Sequence, residues 1–209
     1  MTTATYAETS PTRADASRLL VRFGIVVVAS FLLGGLTSYA QGFLPDALAS
    51  FANSASGWTV LTALLVYWSR ARTAPAAVLG ALSFVLLVLG YMVAADLRGY
   101  VYNPLLFATV GLVVGPFVGV AVSWLRATGV RAALGTALLA GIGVGEAGYG
   151  LTVIRETTSP VYWSVIGVVG LVLLIGMLAR RVRGALPATL AVGGTVAVAV
   201  AFYVVYSSL

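Results

Sequence analysis

Asn53-Ser54-Ala55-Ser56-Gly57-Trp58-Thr59-Val60-Leu61-Thr62-Ala63-Leu64-Leu65-Val66-Tyr67-Trp68-Ser69-Arg70 is the stretch on which the fold turns. Its apolar part, Trp58 to Ser69, is about twelve residues long and would reach some 18 Å as a helix at 1.5 Å per residue. A hydrocarbon core is about 30 Å thick, so this is a short crossing, preceded by a polar run. If it crosses, every later helix points one way; if it does not, every later helix is inverted.

Arginine placement decides between the two, because basic residues collect in cytoplasmic loops. Counting the short stretch as a span places Arg13, Arg18 and Arg22, then Arg70 and Arg72, then Arg126 and Arg131, then Arg180, Arg181 and Arg183 on one side. Only Arg98 and Arg155 fall opposite, each near an acid, Asp96 and Glu156. Leaving the short span out spoils this alternation. Aromatic residues follow the same division, with Tyr39, Tyr91, Tyr100, Tyr102, Tyr162 and Trp163 toward one interface and Phe23, Tyr67, Trp68 and Trp124 toward the other.

Outward from this stretch the remaining apolar blocks are each long enough to span and apolar on every face. The expected fold is all-α, a polytopic transmembrane helix bundle of about seven spans with a cytoplasmic N-terminus and the C-terminus outside. The spans are expected at about 19–40, 56–69, 75–95, 104–125, 132–154, 161–179 and 186–206. Residues 1–18 carry no apolar periodicity and read as a disordered cytoplasmic tail, ahead of one transmembrane domain over 19–209. Ser38-Tyr39-Ala40 faintly resembles a signal-peptidase site, but the block before it exceeds a signal core and reads as an uncleaved span. Seven spans also allow two parallel halves of three around a linker helix; the sequence match between the first and fifth spans is thin.

Composition supports membrane residence. Of 209 residues, 60% are hydrophobic and 9% charged, with a mean hydropathy of +1.03, against about 25% charged in soluble domains. The net charge of +6 and pI near 10.0 come from scattered arginines without a basic face, which fits orientation and contact with anionic headgroups and excludes a nucleic-acid partner. The chain contains no Cys, His or Lys. The usual haem, zinc and copper ligands, nucleophile–His pairs and Schiff-base chemistry are therefore missing. No cofactor or metal is expected, and an enzyme is not.

Within the spans, Glu146 stands out in Gly141-Ile142-Gly143-Val144-Gly145-Glu146-Ala147-Gly148-Tyr149-Gly150 as the acid well inside a membrane segment. Counting back nine residues from Arg155 puts it about 13 Å below the outer interface, near the middle of the bilayer. A carboxylate there costs about 2.5–3.5 kcal/mol on insertion scales, so it must be protonated, paired or wet. Two readings stay open: a protonatable, cation-binding or substrate-bonding site with Tyr149 one turn away, or a carboxyl that glues two helices together.

Gln41-Gly42-Phe43-Leu44-Pro45-Asp46, continuing to Trp58, forms the second candidate. Leu44, Leu48, Phe51 and Ala55 recur at helical spacing and suggest an amphipathic segment in the outer leaflet. Asn53, Ser54 and Ser56 stand where an N-cap belongs. The short span is either a continuous helix from about Ala47 or a broken helix whose N-terminus opens a binding cleft inside the membrane. Gln41, Asn53, Ser54 and Trp58 join Glu146 and Tyr149 as candidate binding residues. Gly111, Gly115 and Gly119, beside Pro116, make a small-residue stripe for helix packing, within the chain or against a second copy.

Gly35 to Pro45, followed by Phe51-Ala52-Asn53-Ser54 and Trp58, resembles an actinobacterial family of small multi-pass membrane proteins of unknown function with a Gln-Gly-x-Leu-Pro then Ala-Asn-Ser pattern. The resemblance implies a bacterial cytoplasmic-membrane protein and no set activity. The leading expectation is a transporter-like or solute-binding protein with a small-molecule or ion ligand. The alternative is a non-catalytic structural or assembly subunit of a membrane complex, with a homo-oligomer or membrane partner. The lipid bilayer is a partner in either case.

Overall fold

A computed structural model of the chain describes residues 13–208. The described residues are all-α: α1 (Arg13–Phe43), α2 (Asp46–Ala49), a 3₁₀ turn (Ser50–Asn53), α3 (Ala55–Ser69), α4 (Thr73–Leu97), α5 (Leu105–Trp124), α6 (Gly129–Thr152), α7 (Pro160–Arg180) and α8 (Ala185–Ser207). Six of them, α1 and α4 to α8, are long and apolar enough to cross a membrane, and mark a membrane protein. The α3 helix, at 15 residues, is shorter than these.

Helix α1 begins at Arg13, earlier than the expected span. The Ala- and Ser-containing residues up to Arg18 extend a helix already nucleated by the apolar block, since propagation adds a bond for each residue fixed. Residues 1–12 of the expected tail lie outside the described residues. The other ends fall within a few residues of the sequence expectation, as helix boundaries usually do.

Close backbone approach sets the relative helix directions. Ser30 Oγ donates to Ser83 Oγ at 2.8 Å, and methyl groups on Gly34 and Gly90 would overlap the Leu87 and Phe31 carbonyls. Residue numbers rise together along this seam, so α1 and α4 run parallel. The chain must therefore return between them, and α2, the 3₁₀ turn and α3 carry it back: Arg22, near the start of α1, donates to the carbonyl of Ser69 at the end of α3.

The α4–α5 seam is antiparallel. Gly111, Gly115 and Gly119 lie against Phe84, Gly80 with Ala81, and Ala76, close enough that a methyl group on any of them would collide. The small-residue stripe is thus used inside the chain. Farther along, α6 is the most enclosed helix. It packs antiparallel to α7, with Gly150 under the Trp163 ring, and parallel to α8, with Gly141 against Val198 and Gly145 against Ala199.

Two triplets emerge, α1–α3–α4 and α6–α7–α8, each running there, back and there again, with first and third helices packed in parallel and α5 between them. The arginines near the connections gather at one end. Arg126 donates to the Tyr67 carbonyl, Arg181 donates to the Arg126 carbonyl at 2.9 Å, and Gly129 N–H donates to the Arg181 carbonyl. At the opposite end Arg98 folds over α1, donating to the Ser38 carbonyl and lying 5.4 Å and 5.1 Å from the Tyr39 and Tyr100 ring centres.

Candidate functional site

A helix leaves its first N–H groups without partners. At the start of α3 these groups lie inside the molecule: Ser56 and Gly57 are buried and Ala55 is half-buried. Three side-chain oxygens satisfy them. Ser54, the N-cap in extended conformation, accepts from Gly57 N–H through its own hydroxyl at 2.9 Å. Glu146 Oε1 accepts from Ala55 N–H at 2.8 Å and Oε2 from Ser56 N–H at 2.6 Å. From Trp58 onward the helix supplies its own partners, beginning with the Ser54 carbonyl.

Glu146 is 2% exposed. Its two oxygens grip two consecutive amides at the positive end of a helix, the geometry in which hydrogen bonding and the helix dipole both favour an anionic acceptor. Gly57 allows the entry turn: a methyl group there would strike the Phe51 carbonyl. The chain therefore breaks between Asn53 and Ala55, and the broken-helix reading holds over the continuous one because Ser54 is extended, at φ −128° and ψ 152°. Glu146 lies six residues before the end of α6, roughly 9 Å at 1.5 Å per residue, so the carboxyl group belongs to the last third of its helix.

Tyr162 of α7 completes the joint. Its hydroxyl lies 2.6 Å from Ser54 Oγ, and both residues are buried. Its ring stands edge-on to Phe51 and Trp163. One side-chain network thus links the α3 end to both α6 and α7.

The remaining candidates divide between this joint and other places. Trp58 is buried on another face of α3, with ring centres of Phe84, Tyr91 and Phe107 at 6.2, 5.9 and 5.7 Å. Tyr91 donates to Gln41 Oε1 at 2.7 Å, which draws Gln41 into this aromatic cluster and away from Glu146. Tyr102, in the α4–α5 connection, packs at 4.8 Å from Tyr91. Burial, with Tyr91 beside it, pushes its phenol up to about 12. Asn53 is exposed and outside the joint. Tyr149 turns toward α8, with ring centres 6.5 Å from Tyr203 and 5.4 Å from Tyr206. Being a turn from Glu146 places Tyr149 on a neighbouring face, but its own partners are the α8 tyrosines.

Sequence reading missed Tyr162 and the two backbone amides. Tyr162 looked like one more interfacial aromatic, and backbone donors leave no mark in a sequence beyond the capping serine. With this joint described, the comparison with known families is direct: residues 13–209 match DUF6518, a family of unknown function. The chain belongs to that family. Membership covers far more than the thirty-residue resemblance around Gln41 and Trp58, and Ser54, Glu146 and Tyr162 all lie within the DUF6518 region. No curated protein and no solved structure matches the chain.

Proposed function

We propose that this DUF6518 chain is a bacterial cytoplasmic-membrane protein that binds and moves a small solute, and that the contact between Glu146 and the α3 N-terminus is the element that opens and closes. The observation that carries this reading is an interrupted helix whose buried amide end is held by an acidic side chain from the other triplet. Half-helix ends inside a bundle suit anionic groups, and solute sites in transporters gather at such breaks between repeated halves. Glu146 fills that end in the closed arrangement. A solute carboxylate of matching chemistry would take its place on the Ala55 and Ser56 amides, freeing α3 from α6.

The same reading gives seven crossings, with α3 and the preceding turn as the composite second span. The N-terminus is cytoplasmic and the C-terminus outside. The parallel α1–α4 pair and the shared end occupied by Arg22, Arg126 and Arg181 support this threading.

The test uses purified protein in proteoliposomes, a panel of small carboxylates including acetate, succinate and amino acids, and the Glu146→Gln variant. At least one compound should raise the melting temperature of the wild type and enter the vesicles, with both effects altered in Glu146→Gln. If no compound does so, or the variant behaves identically with the compound that does, the reading fails.

A structural or assembly subunit is the second reading, favoured by the closure of the joint: Glu146 is sealed and both its oxygens are occupied. Native mass spectrometry of gently extracted protein distinguishes the two, since an assembly subunit should retain a second membrane chain.

A further inference from the structure

Below the joint, between α3 and α7, lies a cavity of about 190 Å³ that the solute reading does not use. Its walls include Thr59, Ala63 and Tyr67 of α3, Ile142 of α6 and Val169 of α7, with Ser56 closing the end nearest Glu146. Apart from Ser56, Thr59 and Tyr67, the lining is apolar. The helices α3 and α7 stand apart along it, and the rim residues Leu64 and Val169 are exposed. The cavity is therefore a cleft open sideways toward hydrocarbon. It is far larger than the roughly 10–15 Å³ a single water needs, and a dry lining without partner atoms forfeits its dispersion contacts.

Length and charge identify what fits. From Ser56 to Tyr67 the cleft runs eleven residues of helix, roughly 16 Å, which is about half of a 30 Å hydrocarbon core and so the depth of one leaflet. At its far end the Arg126 guanidinium lies 4.1 Å from the Tyr67 ring centre. Arg181 is tied to the Arg126 carbonyl, and exposed Arg180 and Arg183 lie beside it in chain. At the blind end the buried Ser56 hydroxyl lies against the Glu146 carboxyl group.

We infer that this cleft holds one acyl chain of an anionic phospholipid from the arginine-bearing leaflet, with the phosphate at Arg126 and its neighbours and the chain end under Ser56. The inference is independent of the solute reading, since it needs neither opening of the joint nor transport. Bound lipid fills the space between α3 and α7 that no side chain fills, and so steadies the two helices whose outer ends meet at Ser54 and Tyr162.

Photolabelling in nanodiscs tests it. The full chain is placed in phosphatidylcholine doped with phosphatidylglycerol carrying a diazirine at the end of one acyl chain, and the labelled residues are mapped by peptide mass spectrometry. Labels should concentrate between Ser56 and Ala63 and around Ile166 to Val169. They should fall about fivefold with a phosphatidylcholine probe or in Arg126→Gln, the factor expected when one basic contact to an anionic headgroup is lost. Ala63→Phe and Val169→Trp, two separate ways of filling the cleft, should remove them while labels on the outer faces of α1 and α8 persist. Labels spread evenly over all lipid-facing helices, labels in the cleft that both filling variants leave intact, or equal labelling by the neutral probe would each overturn the assignment. A failed carboxylate screen leaves these outcomes unchanged.

Discussion

The Ser56 amide donates to Glu146 Oε2 at 2.6 Å across 90 positions of sequence, and with the neighbouring Ala55 bond it ties the second helix of one triplet to the first helix of the other. The consequences follow from what each partner can replace. A glutamate offers two acceptor oxygens; a glutamine offers one acceptor and one donor group.

Glu146→Gln should therefore keep one of the two amide bonds and set an NH₂ group against the other amide. Glu146→Ala should orphan both. At about 1–3 kcal/mol for each buried donor left unpaired, the alanine variant should lose about 2–6 kcal/mol and the glutamine variant roughly half of that. Melting in detergent, followed by tryptophan fluorescence, would measure the order wild type, glutamine, alanine.

Ser54 and Tyr162 form the second half of the joint and should behave as a coupled pair. Ser54→Ala removes an N-cap, at about 1 kcal/mol, and also strands the Tyr162 hydroxyl. Tyr162→Phe alone should cost less. In the double variant the two losses should fall short of their sum by about 0.5–1 kcal/mol, and strict additivity would show that the 2.6 Å contact carries no energy.

Steric prediction centres on Gly57 and Gly115. A methyl group at Gly57 meets the Phe51 carbonyl, and a leucine at Gly115 meets the Gly80 and Ala81 backbone. Gly57→Ala should lower the melting temperature, and Gly115→Leu should reduce folded yield sharply through the α4–α5 seam. A Gly115→Leu protein that folds normally but loses a dimer would instead place that stripe between copies.

The Tyr102 hydroxyl is buried without a hydrogen bond. Replacing such a group by an apolar one of the same shape is close to neutral or stabilising. Tyr102→Phe should leave stability within about 1 kcal/mol of the wild type or raise it, in contrast to Tyr162→Phe.

Threading is open to direct labelling because the chain has no cysteine. Single cysteines at Arg70 or Arg72 should be shielded from an impermeant maleimide in intact cells, whereas one at Tyr100 should react. Reaction at the first two positions would invert the bundle and remove α3 as a crossing.

Much of this was legible in residue order. Long apolar blocks define helices because lipid leaves the backbone no partner but itself. Glu146 was visible as a costly residue, and Ser54 as a cap. The pairing of the two was not, because the groups that Glu146 bonds are backbone amides shared by every residue type. Tyr149 illustrates the opposite error: one helical turn brought it near Glu146 in projection, yet Tyr203 and Tyr206 of α8 decide where its ring packs. Gln41 was likewise claimed by a tyrosine on α4 that sequence spacing could not connect to it.

Glu146 holds the beginning of α3, and amide hydrogen exchange over residues 50–60 tests this most directly. In nanodiscs the wild type should protect the Ala55 and Ser56 amides, and Glu146→Ala should release them while α4 and α8 keep their protection. Equal protection of these two amides in both proteins would mean that Glu146 does not anchor the helix.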